Sequence, residues 1–280
     1  GAIEPPAWTD APFKGAPICE FSYSALARAH AKTVPPAEGD ADEGGTATEL
    51  GSAFHKVAER IAVGGNLRNG TVTRPPADDV DAIVAYYSLT SEQQKRLQAA
   101  LDAWTASAVA ARAAGYPILR AEVPFYQRFH TGDVPVAGGA QVVGGSVVSS
   151  GTQSAGNVPV AGGTQAVGGA PEAAYYFDGS IDLLCLDASG RQAFIVDYKT
   201  GGSDDETPEQ LQEKHLLQAM CYAEAVFEAG IESVELAFVR IEHIEADGQP
   251  QVVPYAFSAE NRAAIQQKIS AELASFAQER

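Results

Sequence analysis

The sequence predicts an α/β domain built on a central mixed β-sheet flanked by helices, with an N-terminal helical part. Three observations carry this. Helical periodicity dominates up to about residue 115. Runs rich in β-branched and aromatic residues follow at 118–129, 175–186 and 193–199. A helical stretch at 207–228 then separates those three runs from two more, at 234–241 and 252–257.

Each element has its own warrant. In the first strong helix, Thr46 or Thr48 can serve as the cap. Leu50, Phe54, Val57, Ala58 and Ile61 recur on one face, and Gly64-Gly65 ends it. Residues 76–87 and 91–113 read as two further helices, the second opening on Ser91-Glu92-Gln93. Before these, residues 1–20 are Pro-rich and read as irregular, 25–31 as a short helix, and 34–45 as a mobile acidic loop. Ser258 caps a last helix reaching residue 278. Residues 133–168 are nearly uncharged and repeat with a period of 12, as DVPVAGGAQVVG, GSVVSSGTQSAG and NVPVAGGTQAVG. The whole chain is expected to be one domain, with residues 133–170 a Gly/Val-rich β insertion that decorates it without catalytic duty.

At 280 residues the chain can bury a core without disulfides. Cys19, Cys185 and Cys221 are far apart and show neither zinc nor disulfide spacing, so each reads as a small buried residue in a reducing, cytoplasmic setting. No run of about 18 apolar residues suggests a membrane span, and the first residues carry no secretory signal. The formal charge is −17, from 36 acidic and 19 basic residues. That balance argues against a free-standing nucleic-acid binder, whose phosphate affinity would come from Lys and Arg. It does not describe the field inside a local cleft.

The most informative stretch joins Gly179-Ser180-Ile181-Asp182-Leu183-Leu184 to Phe194-Ile195-Val196-Asp197-Tyr198-Lys199 through Asp187-Ala188-Ser189-Gly190, a turn signal. A two-residue loop at Ser189-Gly190 and a four-residue loop closed by Asp187 and Gln192 give the same register. In that register Asp182 stands directly opposite Asp197, whereas an odd-length loop or a bulge would shift the pairing by one residue. Opposed side chains have Cβ atoms about 4.5–5.5 Å apart, and like charges there are destabilising. Both acids also lie in apolar runs, where burying a charge is costly. A divalent cation with a preference for oxygen ligands would offset both costs. Period-two alternation adds Lys199 to the Asp197 face. The plainer alternative for a lone Asp-x-Lys is a salt-bridge cluster on a half-exposed sheet.

GSIDLL followed by VDYKTG resembles the core of the PD-(D/E)XK nucleases, in the RecB-like branch of bacterial helicase–nucleases of the RecBCD and AddAB type. GSAFHKVAER resembles that branch's G-x-x-x-H helix, ILRAEVPF its acidic strand, and QAMCY its Q-x-x-x-Y motif. The resemblance spans roughly residues 22–242 and implies a restriction-endonuclease-like core. It further implies Asp182, Asp197 and Lys199 as catalytic residues. His55, Asp182, Asp197 and the carbonyl of Tyr198 would be ligands of Mg²⁺ or Mn²⁺. Gln218, Tyr222 and Glu122 would be substrate contacts, and His215, one turn before Gln218, is a further candidate. No Cys follows Cys221, so the iron–sulfur cluster of many relatives is not expected. No phosphate-binding loop of the G-x-x-x-x-G-K-[ST] type is present, so ATP hydrolysis would fall to a helicase motor, upstream on the same polypeptide or on a partner subunit. DNA is the implied partner. A catalytically inactive DNA-guiding module of such a complex is the alternative reading.

Overall fold

In this computed structural model, residues 18–22, 46–130, 174–202 and 205–278 are described. The helix expected at 25–31, the loop at 34–45 and the repeats at 133–168 lie outside them.

The first layer is helical. The apolar stripe read from the sequence is the buried face of α1 (Thr46–Val63), where Leu50, Phe54, Val57, Ala58 and Ile61 are all inaccessible to solvent or nearly so. A two-rung hairpin, β2 (Leu67–Arg68) with β3 (Thr71–Val72), follows α1 and was not anticipated. Next come α2 (Ala77–Tyr86) and α3 (Ser91–Thr105), the latter opened by a reciprocal capping box between Thr90 and Gln93. The expected single helix at 91–113 is two helices. Ser107 breaks it: its hydroxyl donates to the carbonyl of Trp104 and accepts from the amide of Ala110, ending α3 and capping α4 (Ala108–Ala113).

The sheet comprises β1 (Ile18–Ser22), β4 (Ile118–His130), β5 (Ala174–Leu186), β6 (Gln192–Lys199), β7 (Ser233–Ile244) and β8 (Pro250–Ser258). β1 corrects the expectation that residues up to 20 are irregular. Parallel pairing with residues 174–178 of β5 supplies the ladder that its own sequence does not advertise. β4 pairs antiparallel along the whole of β5, and β6 pairs antiparallel with the last four residues of β5. β6 and β7 are parallel, as the crossover helix α5 (Pro208–Glu228) between them requires, and β8 closes the sheet antiparallel to β7. Ser258 caps a 3₁₀ turn leading into α6 (Arg262–Gln278). No described helix is long and apolar enough to cross a membrane.

β6 is buried on both faces. Ala193 and Ile195 pack beneath α5 and α6, while Phe194, Val196 and Tyr198 pack against α1–α4. Alternation on β5 is broken. Leu183 and Cys185 face the α1–α4 layer, yet Ile181 and Phe177, of the same parity, face α5. β4 breaks at the same level. Leu119 packs with α1–α4, Val123 and Phe125 pack with α5, and Glu122 between them has φ of +48°. A pleat shifted by one residue reverses every side chain beyond it. Because both strands reverse together, their register is unchanged on either side.

α5 carries three of the expected site residues, His215, Gln218 and Tyr222, and its first turn is closed by a capping box between Thr207 and Gln210. Thr207→Ala is therefore expected to lower stability by about 1 kcal/mol, read as a lower midpoint in urea with an unchanged m-value.

Candidate metal centre and active site

The break in the pleat lies at Asp182. Across β4 and β5, Ala121 pairs with Leu183 and Val123 with Ile181, so the rung between them sets Glu122 beside Asp182. Across β5 and β6 the ladder ends at Leu183 and Val196, and one rung further the same register sets Asp182 against Asp197. The hairpin is the four-residue form, closed by the amide of Asp187 on the carbonyl of Gln192. Three carboxylates on three adjacent strands thus share one level. Backbone pairing stops there, and a side chain takes it over: Asp182 Oδ2 accepts the amide of Tyr198 at 2.8 Å.

The three acids divide between two sets of partners. On one side, His55 from α1 directs Nδ1 to Asp182 Oδ1 at 3.3 Å and to Glu122 Oε1 at 3.9 Å, with Nε2 3.1 Å from the carbonyl of Tyr198. One ligand atom each from His55, Glu122 and Asp182 lie within 4.8 Å of one another. Glu122 is held by the hydroxyl of Ser180 at 3.1 Å. Burial alone would lower the pKa of His55. The hydrogen bond to Asp182 and the charges of Asp182, Asp197 and Glu122 outweigh it and raise the pKa to about 9. At neutral pH the imidazolium is a positive charge beside Asp182 and Glu122. Glu122 is pushed up by partial burial and then by Asp182. A cleft lined by Ser52, Lys56, Glu59 and Tyr87 opens onto His55 and Glu122.

On the other side, Asp197 is 3 % exposed and faces α5. Its Oδ2 is 2.8 Å from Lys199 Nζ, and its Oδ1 accepts from Gln218 Nε2 at 3.0 Å. Gln218 also donates to the Tyr222 hydroxyl at 2.7 Å and accepts from Lys199 Nζ at 2.9 Å, so the amide uses both of its protons and its oxygen. The Tyr222 hydroxyl lies 2.9 Å from Asp197 Oδ1 and 2.8 Å from the carbonyl of Ser180, and its single proton serves one of them at a time. Burial pushes the Asp197 carboxyl up against the opposing charge of Lys199, and Asp182 adds to the rise. Gln218 and Tyr222 are themselves buried, with their polar atoms committed to Asp197, Lys199 and Ser180 rather than turned to a cleft.

The structure therefore brings together His55, Glu122, Asp182 and the Tyr198 carbonyl, and separately Asp197, Lys199, Gln218 and Tyr222. The donor cluster differs from the expected ligand set by including Glu122 and leaving Asp197 to Lys199 and α5. His215 stands apart. It is 6 % exposed, its ring is stacked on Phe238 with centroids 5.1 Å apart, and Nδ1 has no hydrogen-bond partner among the described residues.

Two further contacts support the site. Thr200, next after Lys199, sits against α1 where Gly51 lacks a side chain; a Cβ there would lie 2.7 Å from Thr200 Oγ1. The gap that Gly51 leaves beside His55 thus receives the end of β6. The buried Arg240, paired with Lys199 across β6 and β7, reaches Gln251 at 2.5 Å and Glu206 at 3.3 Å. Glu242 accepts the amide of Gly201 at 3.0 Å, so β7 holds the turn that follows Lys199. An apolar strand pattern gives no hint of a buried Arg; its carboxylate partner is 34 positions away in sequence.

Gly51→Ala alone is expected to destabilise by about 1–3 kcal/mol through overpacking. In a Thr200→Ala background the same change should be neutral or stabilising, because the nearest remaining Thr200 atom would be Cβ at 3.8 Å and alanine favours the helix. A double-mutant cycle by urea unfolding measures the reversal. His215 supplies a pH dependence. Burial, then the charges of Lys199, Lys214 and Arg240, lower its pKa to about 3. A histidine held neutral contributes stability that is complete above about pH 6.5 and is lost as pH falls toward 3. Between pH 7.5 and 5 the loss is about 2 kcal/mol. In His215→Phe the stability difference between those two pH values should shrink by that amount.

A comparison with curated proteins finds no significant match. A family model does match: residues 17–280 fit that of the PD-(D/E)XK nuclease superfamily. The match spans the whole sheet and every residue of both clusters. It agrees with a restriction-endonuclease-like α/β core. This chain belongs to the PD-(D/E)XK superfamily of metal-dependent nucleases.

Proposed function

We propose that this chain hydrolyses DNA phosphodiesters as an exonuclease of the RecB-like branch, with Mg²⁺ or Mn²⁺, as the nuclease part of a helicase–nuclease in double-strand break repair and recombination. The observation that carries the hydrolytic reading is the single level at which Glu122, Asp182 and Asp197 meet, with His55 on one side and Lys199 on the other. The branch assignment rests on the order of His55, Glu122, Asp182, Asp197-x-Lys199 and Gln218-x-x-x-Tyr222 along the chain.

The donors fit a divalent cation: carboxylate oxygens suit a hard ion, and the imidazole of His55 favours Mn²⁺ over Mg²⁺. Bound by His55, Glu122 and Asp182, such an ion would supply the charge that polarises a phosphoryl oxygen and acidifies water. The protein's own groups do the rest. Asp197 holds the Lys199 ammonium beside the site. The Lys199 side chain is partly exposed, and its ammonium would donate to a phosphate oxygen as negative charge develops, or orient the attacking water. Gln218 and Tyr222 position Asp197 and Lys199 from beneath. Asp182 has a second duty, since its other oxygen anchors the start of the Tyr198–Lys199 segment. With a net charge of −17 the chain gains little from long-range attraction to DNA, and a motor that feeds it strands at high effective concentration would remove that need.

Asp182→Asn and Asp197→Asn should each lower metal-dependent cleavage of linear DNA by about 10²-fold or more, with the circular dichroism spectrum unchanged. Folded variants that cleave at the wild-type rate would sink the assignment. Glu122→Gln should weaken Mn²⁺ binding by about 10-fold or more in calorimetry; equal affinity would remove Glu122 from the cation site.

A further inference from the structure

We propose that Tyr126, Tyr176 and Arg128 form a platform on which the bases of a single nucleic-acid strand stack as it runs to or from the candidate metal site. The proposal rests on the nuclease reading and extends it to the path of the substrate.

The break in the pleat creates the platform. Beyond Glu122, Val123 and Phe125 turn into the core beneath α5 and Gln127 is buried, so Pro124, Tyr126 and Arg128 turn to the opposite face. On β5, Phe177 and Ile181 turn inward, and Tyr176, Asp178 and Ser180 turn out. That outward face is the His55 face, since the Ser180 hydroxyl reaches Glu122 there. The buried cluster formed with α1–α4 takes in Leu119, Leu183 and Cys185 and includes nothing from β4 or β5 past Glu122 and Asp182. Among the described residues, the sheet thus presents a face beside the site that this helical core does not cover.

An aromatic ladder occupies it. The Tyr126 and Tyr176 rings stack with centroids 5.3 Å apart and planes at 27°, and the Arg128 guanidinium lies 5.7 Å over the Tyr176 ring. Tyr126 is 57 % exposed, although a large aromatic gains most from burial. It stands four residues from Glu122 on the same strand, about 13 Å away at extended spacing, within reach of a few nucleotides. The occupant follows from the chemistry and the place. Tyrosine faces take any base, and an arginine both stacks and pairs with phosphate. Bases are open to such contact only in a single strand, and the surface is continuous with a phosphodiester site. Stacking also suits a chain of charge −17, because it needs no excess of cations.

Cross-strand aromatic pairs also stabilise sheets, so the test must read base contact as well as affinity. Oligodeoxythymidylate carrying one 2-aminopurine, stepped along the strand, is bound to the full chain with Ca²⁺ replacing Mg²⁺. In the wild type, and in Tyr126→Trp, fluorescence should be quenched at one or two adjacent positions. In Tyr126→Leu, which keeps the apolar bulk, quenching should vanish and affinity fall about 10-fold. Wild-type quenching and affinity in Tyr126→Leu would overturn the proposal, as would absence of oligonucleotide binding by the wild type or an equal loss of duplex binding. Should Tyr126→Leu fail to fold, the position-specific quenching in Tyr126→Trp decides alone. The nuclease reading is checked separately with the wild type on bis(p-nitrophenyl) phosphate and Mn²⁺. Failure to cleave it, with quenching intact, counts against the chemistry and leaves the platform standing.

Discussion

At one point in the sheet a carboxylate occupies the position of a backbone acceptor. Asp182 receives the amide of Tyr198 where the β5–β6 ladder ends, and the site is built around that substitution. A backbone carbonyl there would have continued the pairing and kept the strands together. The side chain instead lets them diverge, and its second oxygen turns toward His55. The same level is where β4 and β5 change faces and where Glu122 adopts a left-handed backbone that a non-glycine residue rarely tolerates. Strain of that kind costs of order 1–3 kcal/mol and persists when surrounding structure enforces it. Here the long β4–β5 ladder, regular on both sides of the defect, enforces it.

Three acids at one level would repel one another, and two of them are buried: Asp182 is 8 % exposed and Asp197 3 %. The fold separates the problem into two parts. Asp197 is met by an ammonium two residues along its own strand and by two donors one helical turn apart on α5. Asp182 and Glu122 meet, besides the neutral donors Tyr198 N–H and Ser180 hydroxyl, a histidine whose charge can be given up. One half is therefore a fixed polar network and the other a place for an exchangeable cation. Such a division would let a buried acidic site stay folded without an ion and still accept one. The bonds of Lys199 to Asp197 and Gln218 also set its ammonium in one position, which a loose pair of charges would not.

Much of this was legible in the sequence, because its causes are local. The stripe of α1 follows from helical period, and the register of the β5–β6 hairpin follows from its turn, so the opposition of Asp182 and Asp197 could be read before any coordinates. Lys199 follows from alternation two residues on. Gln218 and Tyr222 stand four apart on one helix, and a buried amide announces that it needs partners. The break of α3 at Ser107 was hidden because a serine is compatible with both a helix interior and a cap. Only the competition of its hydroxyl with the backbone decided the outcome. β1 was hidden because its ladder comes from a strand more than 150 residues away.

What the sequence determined by itself, then, is the order of elements, the hairpin register, and which residue types could carry charge into the core. What only the tertiary structure decided is how those charges are shared. Glu122 joins His55 and Asp182 because two strands reverse their pleat at the same rung, and Asp197 turns to Lys199 and α5 instead. Periodicity assumes an unbroken pleat, so no pattern in the chain could place side chains beyond a break. His215 shows the same limit, since its neighbour one turn on enters the polar network while it stacks on Phe238. Which face a residue presents is a property of its own strand or helix; what it meets there depends on chain distant in sequence, and only packing brings the two together.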